Sequence, residues 1–121
     1  MRILAWNCRG TRKALTVRAL KALERENSPD IMLLAETKSK VQKIERIKLS
    51  LSYSDYFCVE STGKAGGLAL LWKQGVDLEV VFSNKHIIAS LIYSDPPDSP
   101  RMLLSIRGLP SKNSEKSFGF S

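Results

Sequence analysis

The sequence predicts an α/β protein: a mixed sheet of about six or seven strands carrying two helices on one face. Three observations predict it. The first third of the chain reads apolar run, amphipathic segment, apolar run, a strand–helix–strand order that implies a parallel, right-handed crossover. A second segment then repeats apolar residues at three- and four-residue spacing. After Ser52 the pattern changes to short β-branched and aromatic runs separated by turn residues, which argues for consecutive antiparallel hairpins in a meander.

Taken in order, residues 2–7 form the first strand, and Gly10-Thr11 turns the chain, with Thr11 or Thr16 available to cap a helix. Residues 15–26 form that helix: Leu15, Ala19, Ala22 and Leu23 make its apolar stripe with Leu20 between, and Arg18, Lys21 and Arg25 lie mostly off it. Ser28-Pro29 ends the helix, because the residue before a proline avoids the helical region. Residues 30–36 form the second strand. Val41, Ile44, Ile47 and Leu51 then mark a second helix, with Lys40, Lys43, Arg46 and Lys48 on its outer face. Strands follow at 56–60, 68–73, 78–82, 87–93 and 102–106. Their separators are Gly63 with Gly66-Gly67, Gln74-Gly75, Asn84 and Asp95-Pro96-Pro97-Asp98-Ser99-Pro100.

Composition narrows the class. A chain of 121 residues is one domain at most. Its longest apolar runs, Ile31–Ala35 and Leu68–Trp72, fall far short of the roughly 20 residues a membrane span needs, so no membrane partner is expected. Arg9, Arg12 and Lys13 interrupt any apolar leader segment, and the default expectation is an intracellular protein. Cys8 and Cys58 lack metal-ligand spacing and read as two reduced thiols. The net charge of +7 favours a polyanionic partner, although a solvated basic face explains the same charge. The basic clusters lie at residues 9–13, which include Arg9, Arg12 and Lys13, and at residues 38–48, which begin with Lys38.

Two residues stand out as candidates for chemistry. Both opening strands stop abruptly at a polar side chain, the first at Asn7 and the second at Glu36. Strand carboxyl ends are where α/β proteins commonly build sites. An amide oxygen and a carboxylate oxygen are hard ligands suited to Mg²⁺ or Mn²⁺. The bland alternative is an asparagine in a turn and a glutamate capping a helix start. His86, the single histidine, sits in a turn context and reads as a surface residue. Gly63-Lys64-Ala65-Gly66-Gly67 lacks the Gly-Lys-Ser/Thr ending of a phosphate loop and leads into a strand, so it reads as a hairpin turn.

Three segments in order carry a family resemblance: Trp6-Asn7-Cys8-Arg9-Gly10, then Leu34-Ala35-Glu36-Thr37, then Gly66-Gly67-Leu68-Ala69-Leu70-Leu71-Trp72. Together they resemble the start of the endonuclease/exonuclease/phosphatase superfamily. The nearest likeness is to the apurinic/apyrimidinic-like endonuclease domain of plant LINE-type retrotransposons, a likeness that Tyr93-Ser94-Asp95-Pro96-Pro97 shares. The resemblance implies one half of a four-layer α/β sandwich, with residues 1–110 as a truncated domain and residues 111–121 as a weakly structured tail. It implies metal-dependent phosphodiester hydrolysis, with Asn7 and Glu36 as vestigial catalytic residues and ligands of a weakly held Mg²⁺ or Mn²⁺.

It further implies DNA as a partner and a nuclear location, and the basic clusters offer Arg9, Arg12, Lys13 and Lys38 as contact residues. The family's "Gly-Asp-Phe-Asn" and "Ser-Asp-His" motifs do not occur in these 121 residues, and Arg107 stands at the family's tyrosine position. The expectation is therefore a remnant without useful turnover. The alternatives are a non-catalytic basic nucleic-acid-binding module or a decayed reading frame without function. One sheet face, normally met by a second sheet, is expected to lie uncovered and to promote self-association.

Overall fold

The computed structural model describes residues 1–10, 14–63, 65–93 and 100–106. In chain order the elements are β1 (Ile3–Asn7), α1 (Ala14–Asn27), β2 (Ile31–Ala35), α2 (Val41–Ser50), β3 (Asp55–Val59), β4 (Leu68–Trp72), β5 (Leu78–Ser83), β6 (Ile87–Ile92) and β7 (Arg101–Ile106). The α/β class and the expected set of strands and helices are all present. The element Asp95-Pro96-Pro97, the stretch from Arg107 onward with its proposed tail at 111–121, and Thr11, Arg12 and Lys13 lie outside the described residues.

The strands divide into two sheets, which corrects the expectation of a single one. The first has the order β1-β2-β4-β3, and the second β5-β6-β7. β1 and β2 are parallel, as the crossover requires, with Ile3 opposite Ile31 and Asn7 opposite Ala35. β4, not β3, pairs with β2, so β3 is an edge strand reached through its hairpin with β4.

Alternation explains why the chain leaves the first sheet after β4. Strands β1, β2 and β4 are apolar on both sides, which is what a strand buried on both faces needs. Leu4, Met32, Leu34, Ala69 and Leu71 meet Leu20 of α1 and Ile44 and Ile47 of α2. Ile3, Ala5, Ile31, Leu33, Ala35, Leu68 and Leu70 point the other way, against Ile88, Ile92 and Leu103 of the second sheet. The face expected to be uncovered is therefore covered from within the chain. Two helices, a four-stranded sheet and a three-stranded sheet stack as three layers, consistent with part of an α/β sandwich.

Among the described residues, a partly exposed apolar face lies one layer further out. On the outer side of the second sheet, β6 Ile87, Ala89 and Leu91 oppose β7 Ile106, Leu104 and Met102. Phe82, opposite Ala89, is 56% exposed and Ile106 is 41% exposed.

The helices show how well periodicity places a stripe. Of the positions predicted for the second helix, Ile44 and Ile47 of α2 are buried, as is Leu51 at its C-cap, and Val41 is half-buried. In α1 the anchor is instead Leu20, with no exposed surface, while Leu15 is 73% exposed. The predicted Ala19, Ala22 and Leu23 are half-buried around Leu20, and Thr16 and Asn27 extend the same side, so Leu15 alone departs from the expected stripe. Asn27 closes the helix by donating to the Leu23 carbonyl (3.0 Å), and Ser28 follows in a left-handed conformation.

α2 starts at Lys40 without a cap from that residue's own side chain. Glu60, which follows β3, supplies one: its Oε2 accepts the Val41 N–H at 2.7 Å. A carboxylate there satisfies an unpaired helix donor and faces the positive end of the helix dipole. Glu60→Ala is expected to cost about 1 kcal/mol, read as a lower urea midpoint with an unchanged slope.

Candidate functional site

The parallel ladder continues past the last residue of β1. The Cys8 N–H donates to the Ala35 carbonyl (2.8 Å) and the Gly10 N–H to the Glu36 carbonyl (2.8 Å). These bonds hold the carboxyl ends of β1 and β2 side by side. Asn7, 6% exposed, donates from Nδ2 to Glu36 Oε2 at 2.5 Å. Its Oδ1 accepts the Arg9 N–H at 3.1 Å, which fixes the amide plane from the opposite end. The two residues singled out at strand ends do converge.

Backbone conformation aims the pair. Arg9 (φ 52°), Glu36 (φ 50°) and Lys38 (φ 52°) all adopt the left-handed region that side chains usually avoid. In β2, Met32 and Leu34 face the helices. Continued alternation would send Glu36 after them; the left-handed turn breaks the alternation. Non-glycine residues held this way are found where the surroundings over-determine them, and functional sites are a common case.

The third motif closes the other side of the same loop. The Thr37 N–H donates to the Gly67 carbonyl (3.2 Å) and the Lys38 N–H to the Gly66 carbonyl (2.8 Å). All three segments that carry the resemblance thus meet at one end of the four-stranded sheet. In the sequence Gly66-Gly67 reads as turn punctuation at the head of the third segment, and its contact with the Glu36 loop is visible only in the fold. The signal available was the doubled glycine itself, which permits both the positive φ of 77° and 98° and a close backbone approach. The hairpin reading of the preceding residues holds: Thr62 and Ala65 exchange backbone hydrogen bonds of 2.9 and 3.1 Å across the turn.

Of the proposed nucleic-acid contacts, exposed Arg9 and half-buried Lys38 border the Asn7–Glu36 pair, with Lys38 Cδ packed over Gly10. Arg12 and Lys13 lie outside the described residues. His86 is exposed in the β5–β6 turn, where its N–H donates to Asn84 Oδ1 (2.8 Å).

As metal ligands, the pair offers two hard oxygen atoms, the Asn7 Oδ1 and the second oxygen of Glu36. That donor set fits Mg²⁺ or Mn²⁺, which bind through one or two protein oxygens while keeping several waters. Among the described residues no group of three or more His, Cys, Asp or Glu gathers at one point. A cation here would remain largely hydrated.

Cys8 is buried beside the pair. Burial, and then the Glu36 carboxylate, pushes its thiol far above the ordinary range. Tyr53 is also pushed up, by burial and then by Glu24 and Asp30, and its hydroxyl donates to the Pro29 carbonyl (3.1 Å). A folded-state pKa raised above the unfolded value means the fold favours the protonated group. That contribution is complete below the unfolded values and is lost as pH rises through the folded ones. Through these two groups the thermal midpoint is expected to be unaffected up to about pH 8.5 and to fall above it, where the unfolded thiol ionises first. Cys8→Ala should flatten the beginning of that fall.

The arrangement defines an α/β-sandwich protein with a polar pair at the carboxyl ends of two parallel strands. Residues 4–109 match the model of the Endonuclease/Exonuclease/phosphatase family, and the chain belongs to that family. No curated protein sequence matches it. Among solved structures the fold is similar to the AP endonuclease LMAP from Leishmania major, with a TM-score of 0.63 and 18% identity, covering 87% of this chain and 39% of that one. It is similar to a 3′ phosphatase, NExo, from Neisseria bound to product DNA hairpin (TM-score 0.55, 21% identity, 76% of this chain and 37% of that one). It is also similar to the endonuclease domain of TRAS1, a telomere-specific non-LTR retrotransposon (TM-score 0.55, 18% identity, 92% of this chain and 47% of that one). The chain spans less than half the length of each of these structures.

Proposed function

We propose that this chain is the cation-holding part of a DNA phosphodiesterase of LINE-type retrotransposon origin, and that these residues alone do not turn over. The observation that carries the reading is the meeting of Asn7 Nδ2 and Glu36 Oε2 at the ends of adjacent parallel strands. Similarity to the TRAS1 endonuclease domain and to DNA-processing enzymes supports the substrate class. Glu36 supplies the charged ligand. Asn7 orients that carboxylate from one side while the Arg9 N–H holds Asn7 in place. A bound Mg²⁺ would stabilise negative charge developing on the phosphate oxygens. Proton transfer and phosphate clamping need further groups, each contributing roughly 10²–10⁴-fold. That requirement is the reason to expect no measurable cleavage from the chain by itself.

The test is nicking of supercoiled plasmid with Mg²⁺ or Mn²⁺. The expected result is no conversion to open circle above the buffer rate. Conversion that disappears in Glu36→Ala would overturn the claim of inactivity.

Arg9 and Lys38 beside the pair, together with the net charge of +7, favour DNA binding without chemistry as the retained property. Retention of duplex DNA on filters should weaken steeply between about 50 and 200 mM salt, as counterion release requires. Salt-independent retention, or none, would exclude it. The outer face of the second sheet, with Phe82 and Ile106 exposed, is the surface through which we expect self-association. Phe82→Lys should shift sedimentation toward monomer.

A further inference from the structure

We infer that Gly67 is a positioning residue for the Glu36 carboxylate, acting through Thr37 and Lys38; this inference rests on the cation-site reading above. The loop that carries Glu36 is held from two sides. On one side the Gly10 N–H donates to the Glu36 carbonyl (2.8 Å). On the other, the Gly67 and Gly66 carbonyls accept the Thr37 and Lys38 N–H groups at 3.2 and 2.8 Å. Glu36 has a left-handed backbone (φ 50°) between these two anchors, so a displacement of Thr37 is transmitted directly to its φ and ψ.

Gly67 allows the second anchor to be this close. A Cβ built on it would stand 2.2 Å from Thr37 Oγ1, 3.1 Å from the Lys38 nitrogen and 3.4 Å from Thr37 Cβ. The first separation is far inside van der Waals contact. The second involves backbone that is itself hydrogen-bonded, so it has little room to yield. A side chain at residue 67 therefore pushes the Thr37–Lys38 segment away from β4. That movement swings the Glu36 carboxylate off Asn7.

Gly75 separates this effect from the general penalty of a side chain at positive φ. Its φ of 95° nearly equals the 98° of Gly67, yet a Cβ there would meet nothing within 4 Å. Alanine at either position is held at a positive φ of nearly the same value, and at Gly67 alone does it strike the Glu36 loop.

The experiment compares Gly67→Ala with Gly75→Ala in the whole chain by two readouts. The first is the Asn7 side-chain amide pair in a nitrogen–proton correlation spectrum without metal. In the parent its hydrogen bond to Glu36 is expected to shift one proton downfield and to slow its exchange. The second is the affinity for Mn²⁺ alone, followed by calorimetry. We expect Gly67→Ala to lose the downfield shift and to weaken Mn²⁺ binding by about 10-fold or more, as disturbing a ligand's outer support does. Gly75→Ala should lower the thermal midpoint while keeping both. The double variant Gly67→Ala/Thr37→Ala removes the 2.2 Å clash and should recover the downfield signal at least in part; it also serves if the single variant does not fold. A Gly67→Ala protein, or the double variant in its place, that matches Gly75→Ala in both readouts would overturn the inference. A parent that binds no Mn²⁺ would instead refute the cation-site reading, and the Asn7 signal would still decide the role of Gly67.

Discussion

Leu70→Ala is expected to destabilise the protein by about 2–5 kcal/mol, the range for removing a fully buried leucine side chain. Leu70 has no exposed surface and occupies the middle of β4, paired with Leu33 of β2 and Phe57 of β3. Its side chain belongs to the cluster in which Ile31, Leu33 and Leu68 of the first sheet meet Ile88, Ile92 and Leu103 of the second. The loss combines the transfer term with the cavity left between two sheets whose backbones cannot collapse onto it. Domains of this size have total stabilities of about 5–15 kcal/mol, so the variant is expected to be marginal at 37 °C. Val81→Ala, at a position 45% exposed, should change stability by less than about 0.5 kcal/mol. The contrast tests the layering. If the inner face of the four-stranded sheet were open to water, the cost at Leu70 would drop toward that of Val81. Equilibrium urea unfolding decides it through the midpoint at constant slope.

Glu36→Gln is expected to abolish stabilisation by divalent cations while leaving the apo fold intact. The amide keeps the size of the side chain but removes the charge that attracts the metal. With Mn²⁺ at ten times its dissociation constant, the parent should gain about 1.4 kcal/mol. The variant should gain nothing measurable at the same concentration. Asn7→Ala should show a smaller loss, since it removes one neutral donor and the hydrogen bond that orients Glu36. The measurement is the thermal midpoint with and without Mn²⁺, with Ca²⁺ as a control for non-specific charge effects.

The individual elements were legible because each is a local property. Ile31–Ala35 and Leu68–Trp72 are apolar runs of strand length, and Ile44, Ile47 and Leu51 repeat at helical spacing, so their burial follows from residue type and period alone. The Asn7–Glu36 pair was legible for a related reason: a polar residue ending an apolar strand marks the point where the chain leaves the core. The partition into two sheets was not legible. Gln74-Gly75 reads the same whether it closes a hairpin or turns the chain to a facing sheet, and only the shared burial of Leu70 with Ile88 distinguishes them. The insertion of β4 between β2 and β3 is likewise a long-range pairing with no local signature. In α1 the one departure is Leu15, an apolar residue in the first turn that is 73% exposed, since residue type alone does not say where a helix's packed length begins. The part played by Gly67 depends on a contact with Thr37 thirty positions away in sequence, which glycine's lack of a side chain permits but does not announce.

The convergence of Asn7 and Glu36 on one cation is tested most directly by anomalous diffraction from crystals grown with Mn²⁺. A peak bonded to the Glu36 carboxylate and the Asn7 amide oxygen, with water filling the remaining positions at about 2.0–2.2 Å, is the result predicted here. Those two side chains turned away from one another, or manganese bound elsewhere with neither as a ligand, would contradict it.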